Sequence, residues 1–434
     1  AGHGLVVVAS RQTLDAWSTG PGAATFLEAL ARWTRRPAEW ASIVLARPGT
    51  GVAHPLSLRG APGRGARQQG VAMDPPALEP PAGAAVLLLP QPLPTIPPPT
   101  PPAWIGRQGM RVLWADFTGL GFPRARVLDS ILEFTDAAAL NALAMEVPTT
   151  ALADTVAPVS LRGLPREPRT PWQFVAEQLG ATSLRWFPAI GLDSLVSAGA
   201  EEVDLRGDLA GVPCALDSTF WRGTLRPTFR ALARLGGARP DVITGIALQL
   251  DPLASRYAGA GFCDPDYHAG LTALALDASA RESLLALPPV ARHDTLLHRG
   301  LLGRYYGALE DAVRERAAAL RAELLRLHPE LRFAFRASHA PTDWFSLGLL
   351  RGFSTPELPV FLWLEEPQDR RLLARYRARE VTALSAVQLD PRRVPIGEWR
   401  RLRPLAFQQH HGFWLPTAGG AADTVARVIR RLAK

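Results

Sequence analysis

Cysteine is nearly absent. Cys214 and Cys263 are the two in 434 residues, which excludes a Cys-x-x-Cys zinc or redox motif and permits at most one disulfide. Lysine is scarcer: Lys434 is alone among 48 basic residues, so the +8 net charge is carried by arginine. No apolar run reaches the about 18–20 residues that a membrane-spanning helix needs; the longest, around residues 84–90, is short and ends in proline. Missing too are a Gly-x-Ser-x-Gly nucleophile elbow and a His-Glu-x-x-His zinc motif. The run Gly60-Ala-Pro-Gly-Arg-Gly65 follows no expected strand, so it does not read as a phosphate loop. Neither a cofactor nor a metal is expected. His410 and His411 are neighbours, and adjacent side chains on a strand point in opposite directions, which suits two ligands of one ion poorly.

What is present makes a folded chain. Hydrophobic residues are 47% and charged residues 20% of the sequence, enough apolar material for a large core. The arginines are scattered among acids, as in Glu310, Asp311, Arg314, Glu315 and Arg316. That pattern reads as solvated helix faces, and no nucleic-acid partner is expected.

Two textures divide the chain. Residues 1–105 offer a strand over 4–10, a helix over 23–35 and a strand over 42–46, then a Gly/Arg-rich stretch over 60–70. A proline-dense stretch follows over 74–102, which can form neither helix nor central strand. This predicts a small α/β N-terminal region ending in a Pro-rich linker or strap, with a boundary at 105. Residues 106–434 alternate strands and helices. Strands are expected over 111–117, 141–147, 183–190, 242–250, 331–336, 359–364, 381–389 and 405–408. Helices are expected over 125–139, 171–179, 224–235, 305–327, 343–350, 369–379, 396–402 and 421–432. The longest carries an apolar stripe of Leu309, Val313, Ala317, Leu320, Leu324 and Leu327. Strands with few charges are covered on both faces. Eight of them alternating with helices predict an α/β fold, a (β/α)8 TIM-like barrel.

The active site of such a barrel lies at the carboxyl ends of its strands. Acids dominate there: Asp116, Glu146, Asp193, Asp251, Glu365, Glu366 and Asp390, with His410 and His411 after the eighth strand. Trp114, Trp186, Trp221, Trp344, Trp363 and Trp414 lie near strand ends, with Tyr257 and Tyr267. Carboxyl pairs and flat apolar faces are what glycosidic bond cleavage requires. Each has a plainer alternative: Asp251 as a cap or an Arg256 partner, Glu365 and Glu366 as ion-pair partners, Asp264 and Asp266 as turn residues, and any single indole as core.

Short motifs in order carry a resemblance. Residues 243–251, Ile-Thr-Gly-Ile-Ala-Leu-Gln-Leu-Asp, are similar to the DGIxxxDD strand of the PgaB-type C-terminal domain, from the poly-β-1,6-N-acetylglucosamine deacetylase/hydrolase family of biofilm export. Residues 110–116 resemble that domain's opening strand, 184–190 its VYAWMPV strand, and 215–235 its segment before the key strand. Residues 331–336, 383–390 and 412–416 resemble its LKTARN, VFELQxxDW and GYYPD pieces. The resemblance covers about residues 107–434. It implies a glycosidase-like barrel acting on, or binding, a partly deacetylated exopolysaccharide, with Asp251 at the family's second catalytic acid. Leu250 stands where the first acid would be, and Gln249 where a histidine precedes it. The N-terminal region has no His-x-x-x-His pair for a metal-dependent deacetylase.

The expected catalytic residues are therefore Asp251, Asp116 and Glu365. The expected substrate-binding residues are Trp114, Trp186, Trp221, Trp363, Trp414, Asp264, Tyr267 and His410. The partner is a polysaccharide, with a protein partner allowed through the N-terminal region. The alternative is a barrel that has lost catalysis and serves in glycan binding or assembly. Cys214 and Cys263 fall in loops on one barrel face and can pair. Together with a first residue other than Met, that suits an exported protein.

Overall fold

The computed structural model describes residues 40–46, 53–59, 85–90, 98–115, 125–146, 171–191, 199–251, 256–366, 372–390, 393 and 395–416. Asp116, Asp193, the strand expected over 4–10 and the helices expected over 23–35 and 421–432 lie outside them. The chain forms two units, Ala1–Thr95 and Ile96–Lys434, which part inside the proline-dense stretch.

The first unit holds β1 (Trp40–Ala46), β2 (Ala53–Arg59) and β3 (Ala85–Pro90), an antiparallel sheet in the order β2-β1-β3. Trp40 pairs with Arg59 on one side, and Ala41 with Pro90 on the other. Pro55 and Pro90 lie on the two edge strands, the positions in a sheet where proline is tolerated. That is why a proline-rich sequence still yields strands the sequence reading did not expect. β2 ends at Arg59, directly before Gly60, so a strand does precede that glycine-rich run, against expectation.

The second unit begins with an apolar plug. Trp104 and Ile105 lead through a short turn to β4 (Met110–Ala115). Next come α1 (Ala125–Ala137), β5 (Ala142–Glu146), α2 (Pro171–Gly180) and β6 (Arg185–Gly191). A hairpin, β7 (Glu201–Val203) and β8 (Leu209–Pro213), precedes α3 (Arg226–Ala238) and β9 (Gly245–Gln249). Four helices follow: α4 (Asp264–Ala273), α5 (Ala278–Leu285), α6 (Pro289–His298) and α7 (Leu302–Leu325). The chain then alternates through β10 (Arg332–Ala337), α8 (Trp344–Phe353), β11 (Val360–Leu364), α9 (Leu372–Arg377), β12 (Ala383–Gln388), α10 (Trp399–Pro404) and β13 (Gly412–Pro416).

Strands β4-β5-β6-β9-β10-β11-β12-β13 form a closed ring, all in parallel pairs. This is the expected (β/α)8 barrel. The eighth strand corrects the sequence reading. Residues 405–408 sit in a π-helical turn, and the wall is closed by β13, where Gly412 pairs with Met110 and Pro416 with Trp114. Gly412 has φ 151°, and a Cβ there would meet the Met110 carbonyl oxygen at 1.8 Å. Only glycine lets β13 start this close to β4.

Alternation sorts each strand into two faces. Inward go Met110, Val112 and Trp114, then Ala142, Ala144, Phe187, Ala189, Ala247, Ala334, Phe361, Trp363, Leu384, Ala386 and Trp414. Small residues on β5, β9 and β10 offset the rings of β4, β11 and β13, so the interior is filled. Outward residues pack under the helices in two larger clusters. On the flank, α8 lies tightly on α7: Cβ atoms at Gly348 and Gly352 would come within 2.7 Å of Glu310 O and 2.4 Å of Ala317 Cβ. Cys214 and Cys263 form a disulfide, Cα atoms 6.1 Å apart, tying the segment after β8 to the start of α4.

Candidate functional site

The last inward layer, at the carboxyl ends of the strands, changes character. Extending the alternation by one step from Ala144, Ala247, Ala334, Trp363 and Ala386 brings Glu146, Gln249, Arg336, Glu365 and Gln388 to the mouth. Contacts confirm the placement. The Arg336 guanidinium lies 4.7 Å from the ring centre of Trp114 and 4.9 Å from that of Trp414, a two-sided cation–π arrangement. Its Nη2 donates to Glu365 Oε1 at 3.2 Å, and Arg393 Nη2 stands 3.0 Å from Glu365 Oε2. Trp114 Nε1 donates to Glu146 Oε1 at 3.3 Å. A connected line of Glu146, Trp114, Arg336 and Glu365 thus crosses the mouth.

Asp251 follows β9 and is half-buried. Its Oδ2 accepts the backbone N–H of Ser338, so it ties the loop after β9 to the loop after β10. Glu146, Asp251 and Glu365 belong to β5, β9 and β11, alternate strands of the ring. Of the expected catalytic residues, Asp251 and Glu365 therefore share the mouth, and Asp116 lies outside the described residues.

The expected substrate-binding residues divide. Trp114, Trp363 and Trp414 are inside the barrel at no more than 1% exposure, as its packing and not as open platforms. Trp363 Nε1 lies 3.2 Å from Met110 Sδ, and Trp414 Nε1 donates to the Leu364 carbonyl at 3.0 Å. Trp186 faces the other way and packs beside Trp172 under the helices, ring centres 6.1 Å apart. Trp221 is core, its Nε1 donating to the Ala215 carbonyl at 2.6 Å. Asp264 is exposed and pairs with Arg292 at 2.5 Å, while Tyr267 is buried with Arg292 4.5 Å above its ring. His410 is buried before β13, its Nδ1 2.8 Å from Ser385 Oγ, and burial pushes its pKa down to about 4. It lies at the amino-terminal end of the barrel, away from the rim, because the true eighth strand follows it.

Arg336, Glu146 and Gln388 are mouth residues the sequence reading did not select as site residues. Arg336 left one signal: a charge at the carboxyl end of a strand whose middle, Phe333-Ala334-Phe335, is buried on both faces.

A second acidic cluster is closed to substrate. Glu202 and Asp266 are fully buried beside the disulfide, one carboxyl oxygen of each and the two sulfurs lying within 4.8 Å of one another. Glu202 Oε1 accepts N–H groups of Val203, Gly261 and Cys263, and Asp266 Oδ1 accepts that of Leu216. The remaining oxygens, Glu202 Oε2 and Asp266 Oδ2, are buried without a partner. Burial first, and the neighbouring Glu202 second, push the Asp266 carboxyl well up. That shift favours a proton on Asp266, which removes the repulsion between two buried carboxylates.

No protein-family profile and no curated protein matches the sequence. Among solved structures, the β-amylase catalytic domain of Paenibacillus polymyxa is similar over 76% of this chain and 99% of its own, at 10% identity and TM-score 0.47. The β-mannanase of the blue mussel Mytilus edulis covers 75% and 92% at 8% identity and 0.41. The β-galactosidase of the haloarchaeon Halorubrum lacusprofundi covers 75% and 57% at 11% and 0.45. Likenesses this distant say nothing of this chain's chemistry.

Proposed function

We propose that the chain is a glycoside-hydrolase-like barrel that binds a polysaccharide at its carboxyl end and acts on it there, with an amino-sugar exopolysaccharide as the substrate class. The observation that carries the reading is the set of three carboxyl groups, Glu146, Asp251 and Glu365, on alternate strands around one mouth. Glycoside hydrolysis needs one carboxyl to protonate the leaving oxygen and another to act as base or nucleophile. Glu365 stands between two guanidiniums, which suits the group that carries negative charge through the reaction. Glu146, held by the Trp114 indole N–H, supplies the second carboxyl that the reaction requires. Asp251 holds two rim loops together and reaches the same opening. The disulfide supports export.

A second reading, binding without cleavage, is favoured by Leu250, which stands fully buried where the PgaB-type pattern has an acid. The experiment that separates them follows new reducing ends on partly deacetylated poly-β-1,6-glucosamine and a panel of other glycans. Wild type, Glu365→Gln and Asp251→Asn are run together. Cleavage that falls by about 10²–10⁴-fold in Glu365→Gln supports the hydrolase. Binding with no cleavage in any of them supports the second reading.

A further inference from the structure

A cavity of about 430 Å³ lies off the barrel axis, lined partly by α7 and by the loop leading into α8. Its wall on α7 is the face Gly303, Tyr306, Gly307 and Glu310, the i, i+3, i+4, i+7 spacing of one helix side. Two glycines one turn apart weaken a helix by about 1 kcal/mol each relative to alanine. Elsewhere on this flank the same cost has a packing return: at Gly348 and Gly352 a Cβ would strike α7. At Gly303 and Gly307, both exposed, a Cβ would enter open space and meet no neighbouring element. Their missing side chains leave a bare backbone shelf and keep the cavity open.

The rest of the lining is aromatic and polar. Trp344 and Tyr306 bound it. Glu310 is clamped by Arg351 at 3.1 Å and Arg379 at 2.6 Å, so charges largely cancel. Asp343 caps α8 by accepting the Ser346 N–H at 2.8 Å; burial pushes its carboxyl up to about 6, so near neutral pH it is mainly ionised and accepts. An exposed backbone shelf, two aromatic side chains, and a guanidinium donor (Arg379) set beside carboxylate acceptors (Glu310, Asp343) suit a ring bearing hydroxyl pairs. A phosphate or other strong anion would want uncompensated positive charge.

We propose that this cavity is a second glycan subsite, holding a pyranose unit of a neutral or amino-sugar polysaccharide away from the barrel mouth. The ligand class rests on the function proposed above; the site does not need the mouth to be catalytic. The test uses the full chain, partly deacetylated β-1,6-glucosamine oligosaccharides and titration calorimetry. Gly307→Leu enters open space and improves helix propensity, so it should fold with an undiminished Tm. Wild type should show two binding events, and Gly307→Leu should lose one of them or weaken it by about tenfold or more. Glu365→Gln should affect the other. If Glu365→Gln changes nothing while Gly307→Leu abolishes binding, the mouth reading fails and the subsite stands. Unchanged stoichiometry and affinity in folded Gly307→Leu would overturn the subsite, as would a wild type that binds no oligosaccharide. Gly303→Leu is the companion variant; a large drop in Tm in both would show the space to be filled by the protein itself and would overturn it too.

Discussion

The two ends of the barrel are built by the same alternation and end up opposite in character. At the amino-terminal end Trp104 closes the ring against Phe187 and Phe361, with ring centres 6.0 and 5.7 Å away. At the carboxyl end the matching layer is Glu146, Gln249, Arg336, Glu365 and Gln388. The first layer stabilises by excluding water. The second holds charge in a partly dry place, and charges confined there are what chemistry on a substrate uses. Under the proposed function, the fold separates stability from function along its own axis.

The largest expected effect comes from the apolar end. Phe361→Ala should cost about 3–5 kcal/mol, read from denaturant unfolding, with glycan affinity per folded molecule unchanged. A loss of affinity at full folding would break the division between the ends. At the other end, Arg336→Leu should cost about 3 kcal/mol, because Glu365 loses one of its two partners in a partly buried place. The double variant Arg336→Leu/Glu365→Leu should recover much of that stability and still lose the binding event at the mouth. If the double variant is less stable than the single, the ion pair is a net stabiliser and the mouth is partly structural.

Opposite pH responses sharpen the comparison further. Asp343, in the loop after β10, has its folded pKa raised to about 6 by burial. Its contribution is complete below the unfolded value near 4 and is lost as pH rises through 6, up to about 3 kcal/mol. Asp343→Asn keeps a good helix cap and removes that loss, so its stability should gain on wild type between pH 4 and 7. His410, before β13, has its folded pKa lowered to about 4. Its neutral burial favours folding above about 6.5, and that advantage is lost as pH falls toward 4, by a similar amount. His410→Gln should flatten the acid side. Unfolding free energies across pH 4–8 check both signs. The smallest effect is Gly307→Ala, expected to raise stability by about 1 kcal/mol, read as a Tm increase of a few degrees.

Much of the barrel was legible because its strands are short apolar runs between helical stripes. Its eighth strand was misplaced: Leu405, Ala406 and Phe407 looked like a strand, yet they pack beside Leu402 in a helical turn. The better signal was Gly412-Phe-Trp-Leu-Pro416, an apolar run bounded by residues that start and stop a strand. The mouth was half legible. Nearness to a strand end does not say which face a residue takes, and one step separates Trp186 under the helices from Phe187 inside the barrel. Nor does it give depth, and three expected sugar platforms turn out to be barrel filling. Arg336 was not selected because charge on a strand reads as exposure until its two indoles are seen.

The most direct test of a glycan site at the carboxyl end is binding of partly deacetylated β-1,6-glucosamine oligosaccharides to a chain whose Gly307→Leu change removes the flank subsite, compared with the same chain carrying Glu365→Gln. The account predicts that the first chain still binds and that Glu365→Gln weakens that binding by about tenfold or more while both stay folded. Equal affinity in the two chains, or no binding in the first, would contradict it.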